Sequence, residues 1–189
     1  MAAGVTLVIS ALCLTASAQR GPAFTTLFDG KNLDAFNKVG DANWMIVDGA
    51  VQADKGMGGY LVTKQAYGDF EIKAEFWVDT PANSGIFIRC EKPEMPSGAD
   101  CYEVNIYDTR PDPTYGTGAI VNVGKVTTPI KAAGKWNTYE IRAQGSHMVV
   151  TLNGVKTVDV EDGKHARGPF ALQYGAGVVK FRLVQVRAL

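Results

Sequence analysis

The sequence predicts an all-β fold, an antiparallel sandwich or jelly roll, on three observations. Residues 70–78 place Phe70, Ile72, Ala74, Phe76 and Val78 on one side and Glu71, Lys73, Glu75 and Trp77 on the other, the period of two of a half-buried strand. Asn153-Gly154 joins two β-rich runs, 147–152 and 155–160, and is the strongest two-residue hairpin signal. Turn signals recur at Asp29-Gly30, Asp48-Gly49, Gly56–Gly59, Ala143–Ser146 and Asp162-Gly163, with no amphipathic helical stretch between them. A composition of 46% hydrophobic and 20% charged residues supports one core and one domain.

The elements follow in chain order. Residues 1–18 read as a signal peptide. Val5–Leu14 is an apolar run too short to span a bilayer, and Ala16-Ser17-Ala18 is a small-x-small cleavage pattern, although no basic residue precedes the run. Cys13 is not preceded by the small residue of a lipobox. The mature domain is expected over residues 19–189, with no integral membrane span. Residues 68–78, 84–89, 102–107, 136–142, 147–152, 155–160 and 178–186 are the expected strands, and the Pro- and Gly-rich stretch 108–118 is a long loop.

Nineteen basic and nineteen acidic residues cancel, and no Lys/Arg run occurs, so nucleic acid is excluded as a partner. Removing the leader leaves Cys90 and Cys101. An even count in an oxidising compartment favours a disulfide, and the flanking strands would set the two cysteines at facing ends of a hairpin. Such a bridge contributes about 3 kcal/mol in the chain-entropy account. The alternative is two buried free thiols.

Strand parity supplies candidate site residues. Glu75 and Trp77 share the polar face of their strand; Gly85, Phe87 and Arg89 share a face of the next; Glu103, Asn105 and Tyr107 share a face of the third. If these strands are neighbours, Glu75, Arg89, Glu103 and Asn105 converge with Trp77 and Tyr107 beside them. That mixture of carboxylate, guanidinium, amide and aromatic ring suits a sugar cleft, whereas a solvated outer face carries charge without convergence.

Thr26–Asp34, Trp44 with Val47–Val51, Gly59–Thr63, Tyr67–Glu71, Asn83–Arg89, Tyr102–Asp108 and Trp136–Tyr139 follow one another in an order that resembles the 3-keto-disaccharide hydrolase domain family. The resemblance implies a concanavalin A-like jelly roll, export to a bacterial periplasm or surface, and a carbohydrate or glycoside substrate whose C3 hydroxyl has been oxidised to a ketone. Such a ketone acidifies the C2 proton. A carboxylate then removes it, the C1 aglycone is expelled and water adds. On this expectation Glu103, Glu75 and Arg89 are catalytic, with Glu103 the first choice for base or metal ligand, Glu75 the second carboxylate and Arg89 the oxyanion partner. Asn105, Tyr107, Trp77, Asp108, Gln173 and Tyr174 bind substrate, and a divalent metal ion is the conceivable cofactor. Either Glu could instead form a structural ion pair with Arg89, and Asp108 could simply cap its turn. The chain departs from the family at Leu172–Gly177, where Gly175 stands in place of a family His. His147 and His165 are the remaining histidines, both expected in solvated turns. The alternative function is a jelly-roll module that binds polysaccharide without turnover.

Overall fold

The computed structural model describes Met1 and residues 22–189; the expected signal peptide and its cleavage site lie outside the described residues apart from Met1. Among the described residues the chain forms β1 (Thr25–Phe28), β2 (Phe36–Gly40), β3 (Met45–Val47), β4 (Ala50–Ala53), β5 (Gly59–Thr63), β6 (Phe70–Val78), β7 (Asn83–Ile88), β8 (Tyr102–Ile106), β9 (Trp136–Gln144), β10 (His147–Leu152), β11 (Val155–Glu161), β12 (Ala171–Ala176) and β13 (Val179–Ala188). A single 3₁₀ turn, Pro113–Tyr115, is the only helical element among them. No helix of the described residues is long and apolar enough to cross a membrane.

The strands pair antiparallel into two sheets. One runs β11-β10-β9-β6-β13-β4-β3, with β1 added alongside β13; the other runs β2-β5-β12-β7-β8. The alternation read from residues 70–78 is realised in β6, whose Phe70, Ile72, Ala74, Phe76 and Val78 are all buried. These side chains meet Leu61, Ile86, Ile88, Val104 and Leu172 from the five-stranded sheet in one core. Each fully buried large side chain contributes about 1.5–3 kcal/mol, so this shared layer dominates the sandwich's stability. The Asn153-Gly154 turn joins β10 to β11, and both residues take the positive φ that such a two-residue turn requires. Strands β1–β5 and β12 were not expected as strands. They are 3–6 residues long, and their alternation is too brief to stand out from the turns around them.

Cys90 and Cys101 form a disulfide with their α-carbons 4.3 Å apart. β7 and β8 are hydrogen-bonded neighbours, so the bridge closes the loop between them, residues 91–100. Lys92 pairs with Asp100 at 2.9 Å, and Ser97 Oγ donates to Asp100 at 2.7 Å, bracing that loop from within.

Arg89 follows the last residue of β7. Its φ of 54° lies in the left-handed region, which breaks the alternation of the strand and turns the side chain away from the face of Gly85 and Phe87. The guanidinium, 1% exposed, donates to the carbonyls of Gly68 (3.0 Å), Gly145 (2.7 Å) and His165 (3.2 Å) and to Asp69 Oδ1 (3.3 Å). Lys carries the charge but not the planar fork that reaches these separated acceptors. Arg89→Lys is therefore expected to lower the unfolding free energy by about 2–4 kcal/mol, read as a lower urea midpoint at unchanged slope.

Candidate functional site

The two sheets separate the residues that strand parity had grouped. β6 is flanked by β9 and β13 in the eight-stranded sheet, whereas β7 and β8 pair in the five-stranded one. Glu75 and Trp77 therefore lie on the outer face of the first sheet, across the core from Glu103. Glu75 is paired with Arg182, and Lys180 sits 5.0 Å above the Trp77 ring. Arg89 is sealed in the backbone junction described above. The expected convergence of Glu75, Arg89 and Trp77 on Glu103 does not occur, because the β6–β7 connection crosses from one sheet to the other.

Glu103 and Asn105 do share a face. Their neighbours β8 Tyr102, Val104 and Ile106 point into the core, which leaves Glu103 and Asn105 on the outer face of the five-stranded sheet. Across that sheet the register sets Tyr60 opposite Gln173, Gln173 opposite Gly85 and Gly85 opposite Asn105. The next row runs Val62, Ala171, Phe87 and Glu103. Gly85 leaves a gap in this face. A β-carbon there would stand 3.4 Å from Glu103 Cγ and 3.5 Å from Gln173 Oε1, filling the space both side chains border. Phe87 is not a stacking platform: it is buried with Val62, Ala171, Cys90 and Cys101 and meets Tyr60 edge-on at 5.3 Å.

The electrostatics of the row single out Glu103. Burial pushes its carboxyl above the usual range, and the positive charge of Arg110 offsets only part of the rise. Burial likewise raises the Tyr60 phenol, with the Gln173 amide pulling the other way and the Glu103 charge adding to the rise. Two amide oxygens here are buried without a hydrogen-bond donor, Gln173 Oε1 and Asn105 Oδ1. Asn105 is held rigidly. Its Nδ2 donates to the Tyr115 carbonyl at 2.6 Å, and its own carbonyl accepts the Tyr139 hydroxyl at 2.5 Å. Unpartnered buried acceptors are uncommon in folded proteins, and each calls for a hydrogen-bond donor from outside the chain.

From Gln173 the face opens into a cleft of about 430 Å³, bordered by Tyr60, Val39, Gly175, the Gly56–Gly59 turn with Met57, and Glu94 and Met95 of the disulfide loop. The volume is within the range of small-molecule sites. Tyr174 borders it too, but its ring packs in the core, edge-on to Trp44 at 6.4 Å, because it alternates with Gln173. Gly175 lies with its α-carbon against Asn83, so no side chain is supplied where the family His was expected. Asp108 does cap its loop: it accepts from Thr117 Oγ1 (2.6 Å) and from the backbone of Ala132 (2.8 Å) and Ala133 (2.9 Å). Tyr107 is half-buried just past β8, its amide donating to Thr117 Oγ1.

Metal binding finds no support in these residues. Among the described residues no three His, Cys, Asp or Glu side chains come together as a ligand set, and the charge acting on Glu103 is that of Arg110, a cation rather than a second carboxylate. His147 pairs with Asp159 at 2.7 Å on the other sheet. His165 is buried rather than solvated, its Nδ1 2.9 Å from Glu91 Oε1. Sequence reasoning missed Tyr60 and Met95, and gave Gly85 no role beyond a shared face with Phe87 and Arg89. The alternation of Tyr60 and Val62 against Leu61 and Thr63 within 59–63 was the available signal for the first.

Residues 23–187 match the 3-keto-alpha-glucoside-1,2-lyase-like domain. The chain belongs to that family. Among solved structures it is similar to a protein of Parabacteroides distasonis ATCC 8503 provisionally described as a glycosyl hydrolase, at 26% identity and TM-score 0.72, covering 88% of this chain and 100% of the other. A second protein of that organism with the same description superposes at TM-score 0.76 and 20% identity over 88% and 94% of the two chains. A carbohydrate-binding module from Bacillus subtilis shares the fold at TM-score 0.66 and 15% identity, over 82% and 96%. No match was found among curated proteins. The jelly roll, a fold shared with a Bacillus licheniformis β-glucanase at TM-score 0.59, is thus the architecture expected from the sequence.

The raised carboxyl of Glu103 carries a consequence for stability. Between the ordinary carboxylate value of the unfolded chain and the raised value of the folded one, the native state binds more protons, so stability falls as pH rises through that window. Glu103→Gln is expected to raise the melting temperature at pH 7, with the gain vanishing below about pH 3, where both states hold the proton. Thermal scans of both proteins across pH check the sign.

Proposed function

We propose that the protein is an exported glycoside-cleaving enzyme of the 3-keto-glycoside type, with Glu103 as its acid–base residue. The observation that carries the reading is Glu103 facing Gln173 across the gap at Gly85, with Tyr60 opposite Gln173 on the outer face of the five-stranded sheet, in a chain of the 3-keto-alpha-glucoside-1,2-lyase-like family. The glycosyl hydrolases similar in structure support a sugar ligand. The Cys90–Cys101 bridge supports an oxidising, exported setting.

The chemistry follows from the ketone. Glu103 takes the proton from C2, whose electron pair is delocalised into the C3 carbonyl as an enolate. Collapse of the enolate forms the C1–C2 double bond and breaks the C1–O bond, and the departing oxygen recovers a proton from the Glu103 carboxyl. Water then adds across the double bond. Tyr60 stays a neutral donor at working pH, since its phenol is raised, and its hydroxyl with the Gln173 amide can hydrogen-bond the developing enolate oxygen. A base with an elevated value is well matched to moving a proton out and back near neutrality.

Glu103→Gln is expected to lower kcat/KM on a chromogenic 3-keto-glucoside by about 10²–10⁴-fold while the dissociation constant changes by less than about threefold. Wild-type kcat/KM should rise with pH as the Glu103 carboxyl ionises. A Gln variant that cleaves as fast as wild type overturns the assignment of Glu103; a wild-type protein that leaves the substrate intact yet binds glucans makes the chain a binding module instead.

A further inference from the structure

The outer face of the five-stranded sheet has two chemically distinct arms. On one side of Gln173, toward β8, stand Glu103 and Asn105, all polar. On the other, over β5 and β2, the cleft is walled by Tyr60, Val39, Met57 and Met95. Met57 is 95% exposed and Met95 66% exposed, and the two come from separate loops to line the same cavity. Isolated exposed apolar residues need no explanation, but two thioethers line one cleft that Gln173 also borders, and Gln173 and Glu103 both border the gap at Gly85, which gives the patch a direction.

Both methionines are held by locally braced backbone. Met57 lies between Gly56 (φ 121°) and Gly58 (φ 139°), and its amide donates to Asp41 Oδ1 at 2.8 Å. A β-carbon at Gly56 would come within 2.7 Å of the Asp41 carbonyl, so glycine is required for this turn to close on residue 41. Met95 sits in the disulfide-closed loop, its amide donating to the Lys92 carbonyl at 3.1 Å. The rotamer-flexible thioethers are thus presented from fixed points, an arrangement suited to gripping a flat ring.

We infer that this apolar arm is the aglycone subsite and that it takes an aryl or similarly flat apolar aglycone in preference to a second sugar. The inference rests on the glycoside reading above. A second sugar would place its hydroxyls against Val39, Met57 and Met95, where the side-chain polar partners reduce to Tyr60, Glu94 and Gln173 at the edges. An aromatic ring instead gains sulfur–aromatic contacts on both rims and an edge from Tyr60.

The test uses wild-type protein labelled at its methionine methyl groups, with phenyl glucoside and methyl glucoside, each as the α and the β anomer, and cellobiose as probes. Phenyl glucoside is expected to shift the Met57 and Met95 methyl resonances, while methyl glucoside and cellobiose leave them in place. The double variant Met57→Ser/Met95→Ser should raise the dissociation constant for phenyl glucoside about tenfold and leave that for methyl glucoside unchanged within about twofold. Both side chains are solvent-exposed, so its melting temperature should match wild type. Unmoved Met57 and Met95 methyls, or cellobiose bound as tightly as phenyl glucoside and weakened equally by the variant, overturns the inference. Because these probes carry no ketone and are read by binding, the outcome is separate from whether 3-keto-glycosides are cleaved.

Discussion

The buried guanidinium of Arg89 is the junction at which the two sheets are fastened. Its acceptors come from Gly68 and Asp69 at the entry to β6, from Gly145 in the β9–β10 turn, and from His165 on the approach to β12. The first two adjoin strands of the eight-stranded sheet, the third leads into the five-stranded one, and Arg89 itself follows the last residue of β7. A charge with 1% exposure is tolerable only because the fork of donors is spent on fixed acceptors. Its left-handed φ, costly for a residue other than glycine, is the geometric condition for reaching them. Next along the chain comes Cys90, so the same junction fixes one anchor of the disulfide loop.

That loop determines what kind of surface the outer face of the five-stranded sheet becomes. An open sheet face would leave Glu103 hydrated and ordinary. Here the Cys90–Cys101 bridge packs with Phe87, Val62 and Ala171, and the loop beyond it brings Glu94 and Met95 over the sheet. Glu103, in the same row as Val62, Ala171 and Phe87, is itself largely withdrawn from water, and its carboxyl rises in consequence. The same residue is thereby a cost to folding above its titration range, as perturbed groups at candidate active sites commonly are. Gly85, lacking a side chain between Glu103 and Gln173, leaves room for the atoms on which such a carboxylate would act.

The second sheet contributes rigidity to the site from behind. Tyr139, on β9, reaches through the core to donate to the Asn105 carbonyl and accept from the Gly118 amide. Burial holds its phenol protonated far above the ordinary range, so the link persists at any working pH. Asn105 is then fixed from both main chain and side chain, with its side-chain oxygen left free of donors on the same strand as Glu103.

The sequence by itself determined the local order of this protein. Period-two alternation marked β6, Asn-Gly marked the β10–β11 turn, the cysteine pair marked the β7–β8 connection, and the parity of Tyr102–Ile106 put Glu103 and Asn105 on one polar face. These are properties of neighbouring residues, and neighbouring residues are what a sequence displays. The assignment of strands to sheets was decided by tertiary structure alone. β6 and β7 are consecutive yet belong to different sheets, because the apolar faces of both must meet in a shared core; Glu75 and Trp77 are carried to the opposite side of the molecule by that requirement. One left-handed residue took Arg89 off the face its parity implied, and Tyr60 and Gln173, 113 positions apart in the numbering but opposite each other in the sheet, became neighbours of the site only when β5 and β12 paired.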